Sequence, residues 1–211
     1  MTATPDRLAP TMPLPPYSFV PGHDHPHPVT DPAGHLHGRK SPAPMPPEVL
    51  ATIPGEPAAR RQVLAASLAT NPHWLHAIDL FNGGYYWEAH EAWEGFWHAL
   101  GRTTPEARFV QGLIRLAAAC VKIREGRPAG VGRHALRAKE LLGERPATDR
   151  GTNTGIGDGL GLSPHSIASV LEELENHRPE CWHTTRVPVV RVLAADLRLA
   201  GGNGKRAALE G

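Results

Sequence analysis

Four residues in the run EAHEAWE could do chemistry: Glu88, His90, Glu91 and Glu94. An imidazole and a carboxylate four residues apart suit a divalent cation, because His90 and Glu94 fall on one side of a helix. HEAWE is a relative of the zinc-protease pattern HExxH, in which the histidines bind metal and the glutamate acts as general base. The second histidine is here Glu94, and His98 extends the same row. A di-metal carboxylate bundle is less well supported. It needs an ExxH motif on each of two helices, and this helix has none. The third alternative is a polar seam. In it His90, Glu91 and Glu94 meet Gln111, Arg115, Lys122 and His134 of neighbouring helices, as a buried network or as a pocket for a small polar or anionic ligand.

The element that must position these groups is the stretch from Phe81 to Leu100, FNGGYYWEAHEAWEGFWHAL. On a helical wheel, Ala89, Ala92, Trp93, Phe96 and Leu100 share one face, which is expected to be core. Trp87, His90, Glu91, Glu94 and His98 share the other, and Trp87 lines the expected pocket. Asn71-Pro72 reads as an N-cap with proline at the first helical position, opening a helix to about Phe81 that Asn82-Gly83-Gly84 closes. Thr104-Pro105 opens the next, to about Glu125, with a wide apolar stripe through RFVQGLIRLAAACVKI. Gly112 in its middle predicts close approach by a neighbour. Further helices are expected over Pro57 to Ala69, Val131 to Leu142, and from Ser163-Pro164 to before Pro179.

Composition limits the alternatives. The 22 Lys and Arg against 21 Asp and Glu give no field for nucleic acid or an anionic membrane. Two cysteines, Cys120 and Cys181, with no CxxC spacing imply no disulfide framework and favour a reducing cytoplasm. No apolar run is long enough to span a bilayer. Residues 1–57 are dominated by Pro, Gly and His and are expected to be irregular. His23, His25, His27, His35 and His37 crowd there with Asp24 and Asp31. Three readings stay open: a flexible tail with incidental histidines, an ordered arm laid on the core through Tyr17, Phe19 and Val20, or a metal site. The Gly-rich run within 146–164 offers no GxGxxG frame and no GK[ST], and reads as a connector rather than a phosphate loop. The tail is ambiguous: Val187 to Leu193 reads as a short strand and Leu193 to Leu199 as a helical turn or two.

The motifs LFNGGYYWEAHEAWEGFW and FVQGLI, followed by a basic helix with a leucine pair, resemble the bacterial and archaeal domain of unknown function 309 family. Phe81, Asn82, Gly84, Glu88, His90, Glu91, Trp93, Glu94, Trp97, Gln111, Gly112, Leu113 and Ile114 match its pattern. The resemblance covers roughly Trp74 to Leu142 and implies an all-α domain of antiparallel helices with no assigned activity. Arg115 stands where the family usually has Gln, which puts an ion pair with Glu91 or Glu94 within reach.

The resulting expectation is an all-α protein. A small antiparallel bundle over 58–145 follows the arm of 1–57, and the connector of 146–164 leads to a C-terminal helix and tail over 165–211. Its leading function is a cytoplasmic module for a small ligand or protein partner, with a pocket of Trp87, His90, Glu91, Glu94, Gln111, Arg115, Lys122 and His134. The alternative is a metal-dependent hydrolase using His90, Glu91 and Glu94, with the divalent metal on His90 and Glu94, Glu91 as general base, and His98 or the arm's His23, His25 and His27 as further ligands. No other cofactor is implied.

Overall fold

The computed structural model describes residues 7–39, 44–45, 47–143, 160–182 and 184–201. They form seven α-helices: α1 (Pro47–Ala51), α2 (Pro57–Ala69), α3 (Pro72–Asn82), α4 (Tyr86–Ala99), α5 (Pro105–Arg124), α6 (Pro128–Gly143) and α7 (Pro164–Asn176). A 3₁₀ turn follows at Pro179–Cys181, and no strand occurs among the described residues. The starts are written in side chains. Glu56, Asn71, Thr104 and Ser163 each accept backbone amides at a helix opening, with proline at the first turn. The connections α3–α4, α4–α5 and α5–α6 are short, so these packed neighbours run antiparallel.

Helix α5 is the centre, packed by α4 on one side and α6 on the other. Gly112 is where α6 comes closest: a Cβ there would lie 2.7 Å from Leu142 Cγ. Trp74, Phe81, Tyr86, Trp93 and Phe96 fill the space between α3, α4 and α5 and are buried. Their rings meet mostly edge to face, as Trp74 and Phe96 do at 5.2 Å. Cys120 is a free thiol in this interior. No helix of the described residues is long and apolar enough to cross a membrane.

The C-terminal part shares this core rather than extending from it. Leu160, Leu162, Ile167, Val170, Leu174, Val192, Leu193 and Leu197 belong to the same buried cluster. Residues 146–159 of the expected connector lie outside the described residues. Neither the strand expected over Val187 to Leu193 nor the helical turn expected over Leu193 to Leu199 forms, because the segment satisfies much of its backbone on side chains instead. Asn82 Nδ2 donates to Leu197 O and Asn82 Oδ1 accepts Leu197 N, both at 2.9 Å. Tyr86 Oη accepts Val192 N at 2.9 Å, and Glu173 accepts the amides of Ala194 and Ala195. Gly84 has φ +89°, and a Cβ there would collide with Val190 O at 2.7 Å. The FNGGYY run therefore both ends α3 and seats this segment.

Of the three readings of the N-terminal arm, the ordered one is what the fold contains. Its described backbone is irregular except for α1, a short helix that the expectation for residues 1–57 did not include, and Tyr17, Ser18 and Val20 are buried. Asp79, a buried carboxylate of α3, accepts Leu8 N and Ala9 N at 2.8 Å each. Glu88 Oε1 accepts Phe19 N at 2.9 Å, and Ser18 N donates to Pro188 O. A proline-rich chain that cannot build its own ladder is thus held by acceptors from the helices.

Candidate functional site

On α4 the His90 ring stands between two carboxylates. Its Nδ1 lies 3.4 Å from Glu91 Oε1 and its Nε2 lies 3.7 Å from Glu94 Oε1. One ligand atom from each residue falls within 4.8 Å of the other two, the one such group of three among the described residues. The side chains are 26%, 37% and 39% exposed, so solvent reaches the group. A nitrogen with two carboxylate oxygens suits zinc, manganese or iron, and three protein ligands leave coordination positions free. His90 Nδ1 is buried with no hydrogen bond, so the donor set has an orphaned atom that a cation would satisfy.

Gln111, Arg115 and Lys122 are half-buried on α5 and His134 is half-buried on α6, where the charges of Arg115, Lys122 and His90 reach it. Burial first, then the charges of Arg115, Lys122, Arg133 and His90, hold the His134 imidazole below its ordinary value. That keeps it neutral, with a lone pair available. The ion pair expected between Arg115 and Glu91 or Glu94 does not form, because both carboxylates turn back along α4 onto His90. Arg115 Nε is left buried without a hydrogen-bond partner. Lys122 is committed elsewhere, donating to Glu125 at 2.6 Å with its stem packed over Gly130.

Several expected ligands lie apart from this group. Trp87 packs against Phe19 at 5.5 Å and His27 at 5.3 Å, so the arm covers it. His27 Nδ1 accepts the amides of Val29 and Thr30. His25 stacks on Tyr17 at 4.6 Å. His23 lies by Arg124, and burial, followed by the Arg124 and Arg186 charges, lowers its pKa. His98, one turn beyond Glu94, accepts Arg102 Nε at 2.8 Å while that guanidinium covers the Trp97 ring. Rings engaged in stacking or in accepting hydrogen bonds are not gathered around a common centre. His23, His25, His27 and His98 accordingly join no ligand group among the described residues.

Two acids carry structural chemistry: Asp79, which no sequence motif singled out, and Glu88, which the EAHEAWE run grouped with His90, Glu91 and Glu94. Glu88 is buried, with Oε2 unpartnered and His35 Nε2 3.8 Å from Oε1. Burial drives its pKa up to about 7, opposed by the hydrogen bonds from Phe19 and Ser18. A signal was present. Positions 88, 92, 95 and 99 share a helical row reading Glu, Ala, Gly, Ala, and small residues in a row invite another segment to lie close. At Gly95 that segment is Pro44, 3.2 Å from where a Cβ would sit.

Comparison with known proteins gives one match. Residues 74–133 fit the family model described as "Domain of unknown function (DUF309)", in agreement with the motif resemblance. No curated protein and no solved structure matches the chain.

Proposed function

We propose, for a chain whose residues 74–133 carry a domain of the DUF309 family, that it is a binding module in which His90, Glu91 and Glu94 hold a divalent metal ion beside a ligand-recognising seam. The observation that carries this is the convergence of three ligand atoms, one each from His90, Glu91 and Glu94, within 4.8 Å on a solvent-reached face. A bound ion would supply Lewis acidity and an open position for a ligand oxygen. Arg115, free of the acids, is the cation suited to the ligand's negative group. Neutral His134 is suited to a hydrogen bond from the same ligand.

The hydrolytic alternative needs Glu91 to act on water. Its carboxylate stands instead with His90 and Glu94 among the ligand atoms, which favours binding over hydrolysis. The test is metal analysis and calorimetric titration with zinc and manganese, on full-length protein purified without an affinity tag. One ion per chain, lost in His90→Ala and in Glu94→Gln, is the expected result. Protein that takes up no ion, or variants that bind like the wild type, would remove the metal reading.

A further inference from the structure

The turn that closes α3 carries a reactive pair, Asn82-Gly83. An asparagine carboxamide is open to attack by the next residue's backbone nitrogen. A glycine at that position has no side chain to obstruct the approach. Here the fold keeps both partners occupied. Gly83 N donates to Asp79 O at 2.8 Å, at the end of a helix that still includes Asn82. The Asn82 carboxamide reaches across to the C-terminal segment, with Nδ2 on Leu197 O and Oδ1 on Leu197 N, both at 2.9 Å. Those two backbone groups fix which end of the carboxamide is the donor. Nor is the glycine freely exchangeable: a Cβ there would lie 3.0 Å from Asp79 O and 3.2 Å from Tyr85 Cδ2.

We propose that Asn82-Gly83 is a deamidation site guarded by the docked segment around Leu197, and that its conversion loosens that segment irreversibly. The chemistry needs only water. Gly83 N gives its proton to solvent and attacks Asn82 Cγ, so that a C–N bond forms and Cγ–Nδ2 breaks. Nδ2 takes up a proton and leaves as ammonia. Water then opens the cyclic imide, at Cγ to give aspartate or at the main-chain carbonyl to give isoaspartate, and nothing is oxidised or reduced. Aspartate sets an acceptor against Leu197 O where Nδ2 had donated. Isoaspartate lengthens the main chain by one carbon just before Gly84, which seats Val190 so closely that a Cβ would meet its oxygen at 2.7 Å. Ring closure requires Asn82 to release Leu197 and Gly83 to release Asp79 O. The rate therefore follows the population in which the segment is undocked.

The test ages the full-length chain in mildly alkaline buffer and follows the peptide carrying residues 82–83 by mass spectrometry. An Asn203→Gln background removes the chain's other Asn-Gly pair, Asn203-Gly204. The native chain is expected to convert about tenfold or more slowly than the same chain in denaturant, since modest local stability supplies that factor. Leu197→Ala, which keeps the backbone groups that Asn82 holds, should recover a large part of it. Native conversion as fast as denatured, or Leu197→Ala no faster than its parent, overturns the guard. Should Leu197→Ala fail to fold, Tyr86→Phe, which gives up the acceptor of Val192 N, takes its place under the same criteria. Chain converted in denaturant and refolded should show faster hydrogen exchange over residues 190–197 than an unconverted control refolded alongside. Equal exchange overturns the loosening.

Discussion

Glu88 and Glu91 are one turn apart on α4 and meet opposite surroundings. Glu88 is sealed under the arm, where Phe19 N donates to it and burial lifts its pKa to about 7. Glu91 lies at the open edge against His90, its side chain 37% exposed. The sealed face uses its acids as fixed acceptors for backbone amides, a structural role that leaves little freedom. On the open face, His90, Glu91 and Glu94 are partly exposed and accept no backbone amide of another segment. One helix thus separates architecture from availability by about a hundred degrees of rotation per residue.

The comparison predicts that changes to the sealed side cost stability and changes to the open side cost ligand. Asp79→Ala should be the most damaging, by about 4 kcal/mol, since it strands the buried Ala9 amide and the part-buried Leu8 amide and removes the carboxylate near Arg7. Denaturant unfolding measures the loss, and hydrogen exchange should show Leu8 and Ala9 unprotected.

Glu88 gives a pH test. Its folded pKa is raised above the ordinary value of 4.5, so the folded state favours the protonated acid. That contribution is complete below pH 4.5 and lost as pH rises through about 7. It amounts to about 3 kcal/mol across that window, at ~1.4 kcal/mol per pH unit. Glu88→Gln should therefore gain on the wild type in melting temperature as pH rises through the window. A constant difference would mean that Glu88 does not titrate there.

Gly112→Ala should cost about 2 kcal/mol, because its methyl would drive into Leu142 against a packed helix pair. Thermal unfolding tests it, and an unchanged midpoint would mean that α6 moves aside freely. The smallest stability effect belongs to the open face: Glu94→Gln should stay within about 0.5 kcal/mol while abolishing metal uptake. A large loss of stability there would erase the distinction between the two faces.

The helices were readable from the chain because their signals are local. Asn71-Pro72, Thr104-Pro105 and Ser163-Pro164 mark openings that the side chains themselves make. Gly112 likewise announced its close neighbour. The row of His90, Glu91 and Glu94 needed only helical spacing to be seen. What stayed hidden depends on contacts between residues 69 to 115 positions apart, such as Phe19 with Glu88 and Leu197 with Asn82. No periodicity records such pairs. A Pro-rich arm looks the same in sequence whether or not a distant carboxylate waits for its amides. Arg115 shows the converse limit: complementary charge made an ion pair reasonable, and side-chain direction decided against it.

The grip of Asn82 on Leu197 also has a meaning in time. The amide of α3 is synthesised 115 residues before the backbone that satisfies it. Until then Asn82, Tyr86 and Gly84 face water, and the apolar floor under Val192, Leu193 and Leu197 is uncovered. Closing so long a loop comes late and slowly compared with pairing α4 against α5. On the ribosome the helices can assemble early, but the fold is finished only when the segment ending near residue 197 has emerged and docked.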